Sequence, residues 1–325
     1  EQFYFGPFKK VDFVGKAKYL ITTSLIILAA AVVMICVNGF GGKGALNLGI
    51  DFSSGTKITV SSNETLNTNE VRSDFEALGY KPSRVQASGD KVVYVTLNQA
   101  LEQDQLTSIK ETLTAKYGIE PNDNVVTPVV GRELVKNAIA LSLLAWVAML
   151  IYITIRFKWD YAVSCIVALV HDVAIVLAIF AIFRMEINIE LISVILAIIG
   201  YSINNSIVVF DRVRESVAES RKPKLTNEDY KQIVNDSLDK TLVRSVFSSI
   251  TTLLPIIALL LMGSGAIVTF NFAMFVGLIA GTFSSIFIAP QMWYAIRTHV
   301  KPKEKKKKKV KKEKLDELTI PGIND

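Results

Sequence analysis

Six runs of about 20 mostly apolar residues follow one another along this 325-residue chain and limit what it can fold into. A bilayer core of roughly 30 Å takes about 20 helical residues per crossing, whereas a soluble fold would have to bury every run in one core. Spans are predicted at residues 19–38, 134–155, 161–183, 189–210, 243–262 and 268–293, so the expected fold class is a membrane all-α set of six helices. Gly39 to Gly44 end the first span, because glycines continue a helix at a cost. The charged turn Arg156 to Asp160 ends the second, and a short turn around Gly263 and Gly265 joins the last two. Lys9, Lys10, Lys16 and Lys18 precede the first run without a small-residue cleavage pattern, so that helix is read as retained.

Between the first two spans, residues 39–130 turn polar and show strand-like alternation at 57–60, 83–87, 91–97 and 125–130. Two helical patterns interrupt the strands. One begins after Thr68 or Asn69 as N-cap and runs to Leu78; the other runs from Leu101 to Tyr117, before Gly118. The order strand, helix, strand, strand, helix, strand predicts an α+β ferredoxin-like domain of about 85 residues. With residues 1–18 inside, the cytoplasmic segments hold 25 of the 36 Lys and Arg, counting Arg244 at the edge of span five, and residues 39–136 hold ten. By the positive-inside rule both termini are cytoplasmic and the domain is extracytoplasmic. Residues 211–242 form a cytoplasmic loop and 297–325 a basic cytoplasmic tail in this reading.

The net charge of +6 is local, since eleven Lys and Arg lie between Arg297 and Lys314. A lysine run after a span reads as a topology anchor drawn to membrane lipid, and no nucleic-acid partner is expected. Cys36 and Cys165 fall in separate spans and read as small apolar residues. His171 has one companion imidazole, His299, so no zinc set can form, and no serine elbow or phosphate loop occurs. The chain is expected not to be an enzyme and to need no cofactor or metal.

Several segments resemble the SecF family of the protein-export machinery. Leu48 to Thr56, with Gly49, Asp51 and Gly55, is similar to the family's Gly-Asp-Phe-Gly-Gly type motif, although Ser53 and Ser54 depart from it. His171-Asp172-Val173, preceded by Arg156 to Trp159, is the second. The third runs from Gly200 through Asn204, Asn205, Asp211 and Arg212 to Glu215, and Thr241 to Ser245 and Gly281 to Pro290 continue the match. The resemblance implies a six-helix half of a resistance-nodulation-division transporter in a prokaryotic cell membrane. It implies pairing with SecD, work beside the SecYEG channel and YidC, preproteins as transient substrates, and use of the proton-motive force. A half of a solute exporter of the same superfamily and a non-coupling structural partner of SecD are the alternatives.

Charged side chains within a bilayer cost about 2.5 to 3.5 kcal/mol on insertion scales, which makes each one a candidate site. Asp172 lies about eleven residues into its span, or ~16 Å of helix, near the midplane. It reads either as a protonatable carboxylate or as a packing hydrogen bond. Many relatives carry Asp at the position of Asn205, and there it is the proposed proton-responsive group; an amide cannot titrate. The resemblance marks Arg244 as counter-group to that Asp, and a snorkelling interface residue is the other reading. Coupling then rests on Asp172 or on a carboxylate of the partner. Ser245, Ser248, Ser249 and Thr252 share a face that, with Ser202, Asn204 and Asn205, predicts a polar seam between spans four and five. Gly277, Gly281 and Ser284 predict tight packing of span six. Asp51 reads as a turn former that sets the domain on its stalk, and Asp211, Arg212, Arg214 and Glu215 as an exposed ionic network.

Overall fold

The computed structural model describes residues 12–41, 44–220, 222, 225–263 and 266–299. The first eleven residues, most of the basic tail and part of each glycine turn lie outside them. Ten helices and four strands follow in chain order: α1 Phe13–Phe40, α2 Ile50–Ser53, β1 Gly55–Ser61, α3 Thr68–Ala77, β2 Arg84–Ala87, β3 Val92–Leu97 and α4 Gln103–Tyr117. Then come β4 Asn122–Val126, α5 Pro128–Arg156, α6 Trp159–Ile182, α7 Ile189–Glu219, α8 Asn227–Met262, α9 Ala266–Phe287 and α10 Ala289–His299. Six helical stretches are long and apolar enough to cross a membrane, the last formed by α9 and α10 together.

Capping chemistry moves several predicted boundaries. The first helix starts at residue 13, not 19, because Asp12 accepts from the Gly15 amide and opens it. The fourth strand ends at Val126 and the second span begins at Pro128: Thr127 caps the helix and proline occupies its first turn, so the β-branched Val129 and Val130 are helical. Asn67, not Thr68 or Asn69, caps α3, and the reciprocal pair Glu102 and Gln105 starts α4 two residues late. The predicted loop 211–242 is largely helix. There α7 continues to Glu219, α8 starts at a capping box of Thr226 and Asp229, and the buried Val213, Val234 and Leu238 give both extensions an apolar face. The sixth span breaks at Ile288, where Pro290 cannot donate to the preceding turn.

The segment between α1 and α5 is a four-stranded sheet of order β2-β3-β1-β4 with every neighbouring pair antiparallel. Ile58, Val60, Val93, Val95 and Leu97 alternate onto one face, where they meet Val71 and Phe75 of α3 and Leu106, Ile109 and Leu113 of α4. The foot of this domain grips the turn between α6 and α7. Leu48 bridges Ile187 in parallel, and the Gly49 amide donates to the Ile187 carbonyl at 2.8 Å. Glu186 pairs with Lys57 at 3.3 Å and reaches Arg84 at 3.9 Å. A side chain at Gly49 would meet Glu186 and the Ile187 carbonyl at about 3 Å, so this close approach favours glycine.

In the membrane body α7 and α9 pack face to face. A Cβ placed on Gly277 would sit 1.9 Å from Ile198 Cδ1, and Ile198 is fully buried. Small residues at such crossings let backbones approach where no hydrophobic drive from water operates. At one end Asp160, 2% exposed, accepts from Trp293 Nε1 at 2.9 Å and Arg297 Nη2 at 2.5 Å, which ties α10 to the start of α6.

Two outcomes follow from this packing. Gly277→Ala should lower stability by about 1 to 3 kcal/mol through overpacking, and Ile198→Ala in the same chain should recover part of the loss, read as melting in detergent. Asp12 also bridges to α8, accepting from Lys231 at 2.7 Å and Asn235 at 3.1 Å. The Lys231 hydrogen bond, followed by that of the Gly15 amide, holds its carboxyl down at about 2 against an ordinary 3.8. A depressed folded value gives stability that is present above the ordinary value and is lost as pH falls through the folded one. Amide exchange in the first turn of α1 should therefore rise on acidification from 3.8 towards about 2, and Asp12→Asn should abolish that dependence.

Candidate functional site

Asp172 stands where α1, α6, α7 and α9 meet and is fully buried. Its Oδ2 accepts from Ser202 Oγ on α7 at 2.5 Å and from Ser284 Oγ on α9 at 2.8 Å. Its Oδ1 faces His171 Nδ1 at 3.2 Å, and His171 Nε2 in turn contacts Ser24 Oγ on α1. Two helices thus send hydroxyls to one carboxyl on a third, and a fourth, α1, reaches it through His171. A buried carboxylate in an apolar body needs such partners, because leaving it bare costs several kcal/mol. The Phe283 ring lies beside the imidazole at a centroid distance of 6.0 Å.

The α9 backbone comes close enough to deliver Ser284 because Gly281 faces Ser202, where an added Cβ would find the Ser202 Cβ at 3.1 Å. The small residues of α9 therefore serve two ends, tight packing and the approach of a hydroxyl to Asp172. Ser202 points to Asp172 and α9 and does not enter the predicted seam with α8.

The seam between α7 and α8 is narrower than the sequence predicts. Its centre is Ser249, which accepts from Tyr201 Oη at 2.9 Å, lies 2.7 Å from Thr282 Oγ1 and donates to the Ser245 carbonyl at 2.8 Å. Thr252 bonds back to the Ser248 carbonyl in its own helix, and no side-chain partner of Ser248 is recorded among the described residues. Asn204, about 100° round the helix from Asn205, is exposed. Asn205 is 3% exposed, and its Nδ2 has no partner among the described residues. Arg244 is exposed and lines an open groove with Val208, Asp211 and Lys240, a turn beyond Asn205. Gly200 is exposed too, with open space where a side chain would project.

At the other end of α7, Asp51 Oδ2 accepts from the Ile189 amide at 3.1 Å. Asp51 therefore caps the first turn of a helix 138 residues away and is not a local turn former. Gly55, at φ +144°, lets β1 start beneath the Leu97 carbonyl. Asp211 pairs with Arg156 at 3.3 Å and Arg214 at 3.0 Å, and Arg212 with Glu215 at 2.5 Å, the network expected there.

Sequence reasoning missed Ser24, Tyr201 and Thr282 altogether and gave Ser284 only a packing role. The available signal was a hydroxyl side chain near the middle of an apolar run. That signal cannot say which neighbouring helix the hydroxyl meets.

Loss of a buried hydrogen bond to a charged group costs about 1.5 to 3 kcal/mol, so Ser284→Ala should lower the detergent melting point clearly. Asp172→Ala, which strands both hydroxyls and the imidazole, should lower it more than the near-isosteric Asp172→Asn.

Residues 105–299 match the family model described as protein export membrane protein SecD/SecF, C-terminal. The chain is 39% identical over 291 residues to the protein translocase subunit SecDF of Bacillus subtilis (strain 168), covering 89% of this chain and 38% of that one. It is 35% identical over 285 residues to the protein translocase subunit SecF of Sebaldella termitidis, covering 84% and 90%. The crystal structure of the translocon-associated membrane protein SecDF from Thermus thermophilus superposes with a TM-score of 0.76 at 32% identity, over 87% of this chain and 38% of that chain. The chain thus spans less than half of the SecDF relatives and nine-tenths of the SecF relative. With its six membrane-compatible helices, this multi-pass membrane protein belongs to the SecD/SecF family of protein export membrane proteins.

Proposed function

We propose that the chain acts as the SecF-type half of a protein-export motor in a prokaryotic cell membrane. It pairs with a SecD-type partner and uses the proton-motive force to help preproteins move outward through a SecYEG channel and to support insertion with YidC. Relatives named SecDF support the pairing with SecD. Both termini are cytoplasmic in this reading, supported by the Lys and Arg bias, and the basic tail rests on membrane lipid. The domain between α1 and α5 is then extracytoplasmic. Its βαββαβ order and antiparallel sheet support a ferredoxin-like description. No catalytic step is assigned to the chain.

The observation that carries the coupling role is the enclosure of the His171 and Asp172 pair among groups from α1, α7 and α9. A buried site held by several helices changes its charge, and so its interactions with them, when it gains or loses a proton, which makes it a switch between helix arrangements. A second reading is favoured by Asn205 and Arg244. Asn205 and Arg244 form no relay with each other, and the exposed Arg244 is open to a carboxylate of the partner, which then holds the titrating group.

Vesicles energised by a proton gradient and holding the chain with its SecD-type partner separate the two readings. In the first, Asp172→Asn abolishes the gradient-dependent gain in preprotein export, and Asn205→Asp leaves it intact or raises it. In the second, Arg244→Met abolishes the gain and Asp172→Asn does not. Recovery of the chain from mild detergent as a lone monomer overturns both.

A further inference from the structure

We propose that His171 and Asp172 together form a binding site for one proton, closed on the α1 side by Ser24. The proposal deepens the coupling role assigned to Asp172 and rests on it only for what the proton accomplishes, not for whether it binds.

The geometry admits both protonation states of the imidazole without moving a heavy atom. With the ring neutral, Nδ1–H donates to Asp172 Oδ1 and Nε2 accepts from the Ser24 hydroxyl. A proton given up by hydronium attaches to Nε2. The new Nε2–H then donates to Ser24 Oγ, whose own hydrogen rotates away, and the bond from Nδ1 to Asp172 is kept. Release reverses each step and returns the proton to water; no electrons move. Throughout, Asp172 Oδ2 keeps its two serine donors, so the carboxylate stays fully hydrogen-bonded in either state.

Charge limits the occupancy to one. A neutral ring beside a carboxylate leaves the buried pair at net −1, one added proton brings it to zero, and a second would leave an uncompensated +1. An apolar surrounding penalises both charged states. Among the described residues, the groups meeting the pair from the neighbouring helices are Ser24 of α1, Ser202 of α7, and Ser284 and Phe283 of α9, and none carries a charge. Asn205, whose amide cannot titrate, has no part in this site.

The test uses the full chain, labelled with 15N-histidine and reconstituted in lipid vesicles with its unlabelled SecD-type partner. The chain has two histidines, and His299→Gln, at the exposed end of α10, leaves His171 as the only signal. The expected result is conversion from the ring protonated at Nδ1 alone to the doubly protonated ring as the vesicle pH is lowered. Asp172→Asn should remove the doubly protonated form, because it removes the counter-charge. A ring that keeps one form throughout, or that converts identically in Asp172→Asn, overturns the proposal. Export separates this failure from that of the function. If Asp172→Asn abolishes the gradient-dependent gain and His171→Gln leaves it unchanged, the role of Asp172 stands and that of His171 falls. If the ring converts as expected and neither variant changes the gain, the proton site stands and the coupling function falls.

Discussion

A single buried carboxyl organises the membrane half of this protein. Asp172 cannot be solvated by lipid, so its neighbours must supply donors, and each donor obliges a helix to come close. Ser202 arrives because α7 passes within reach of α6, and Ser284 because Gly281 removes the side chain that would hold α9 away. His171 extends the same demand to α1 through Ser24. Apart from a few polar links such as Tyr201 to Ser249 and Asp160 to Trp293, the other helix contacts are dispersive packing, which fixes distance but tolerates sliding. The hydrogen bonds around Asp172 are directional and select one register among the packings that small residues allow.

The domain between α1 and α5 is fastened to the same body by a different kind of contact. Backbone pairing of residues 47–49 with the 184–187 turn, the Asp51 cap on α7 and the Glu186 ion pairs place its sheet directly over the hairpin of α6 and α7. The foot of the domain and the site of Asp172 therefore share two helices. Nothing in that arrangement needs a long chain of intermediate contacts, because a continuous helix joins the two places.

Much of this could be read in the chain and some could not, for physical reasons. Spans were legible because apolar length is a direct requirement of the bilayer, and the strand pattern of the domain because alternation at period two survives in Ile58, Val60, Val93 and Val95. Helix ends shifted where a cap outweighed composition, as at Asp12 and Thr127, and the polar residues after Phe210 concealed an amphipathic extension. Asp172 stood out because a charge in an apolar run is conspicuous. Its partners did not, since a serine in a span reads the same whether it bonds its own helix, as Thr252 does, or a carboxyl on another. The same limit applied to Asn204 and Asn205. Adjacent in sequence, they point about 100° apart on a helix, and only the packed neighbours decide which is buried.

The cap of Asp51 on Ile189 has a mechanical consequence. Helix α7 has 31 residues and is a rod of about 46 Å at 1.5 Å per residue, with the domain's grip at one end and the ionic cluster of Asp211 to Glu215 at the other. Ser202 lies part-way along it. A tilt of about 5° around the gripped end displaces the far end of such a rod by about 4 Å and Ser202 by a smaller amount. A shift of even about 1 Å takes a 2.5 Å hydrogen bond out of range. The helix thus works as a lever whose fulcrum is the domain's foot, turning a small rotation outside the membrane into the making or breaking of one bond deep inside it.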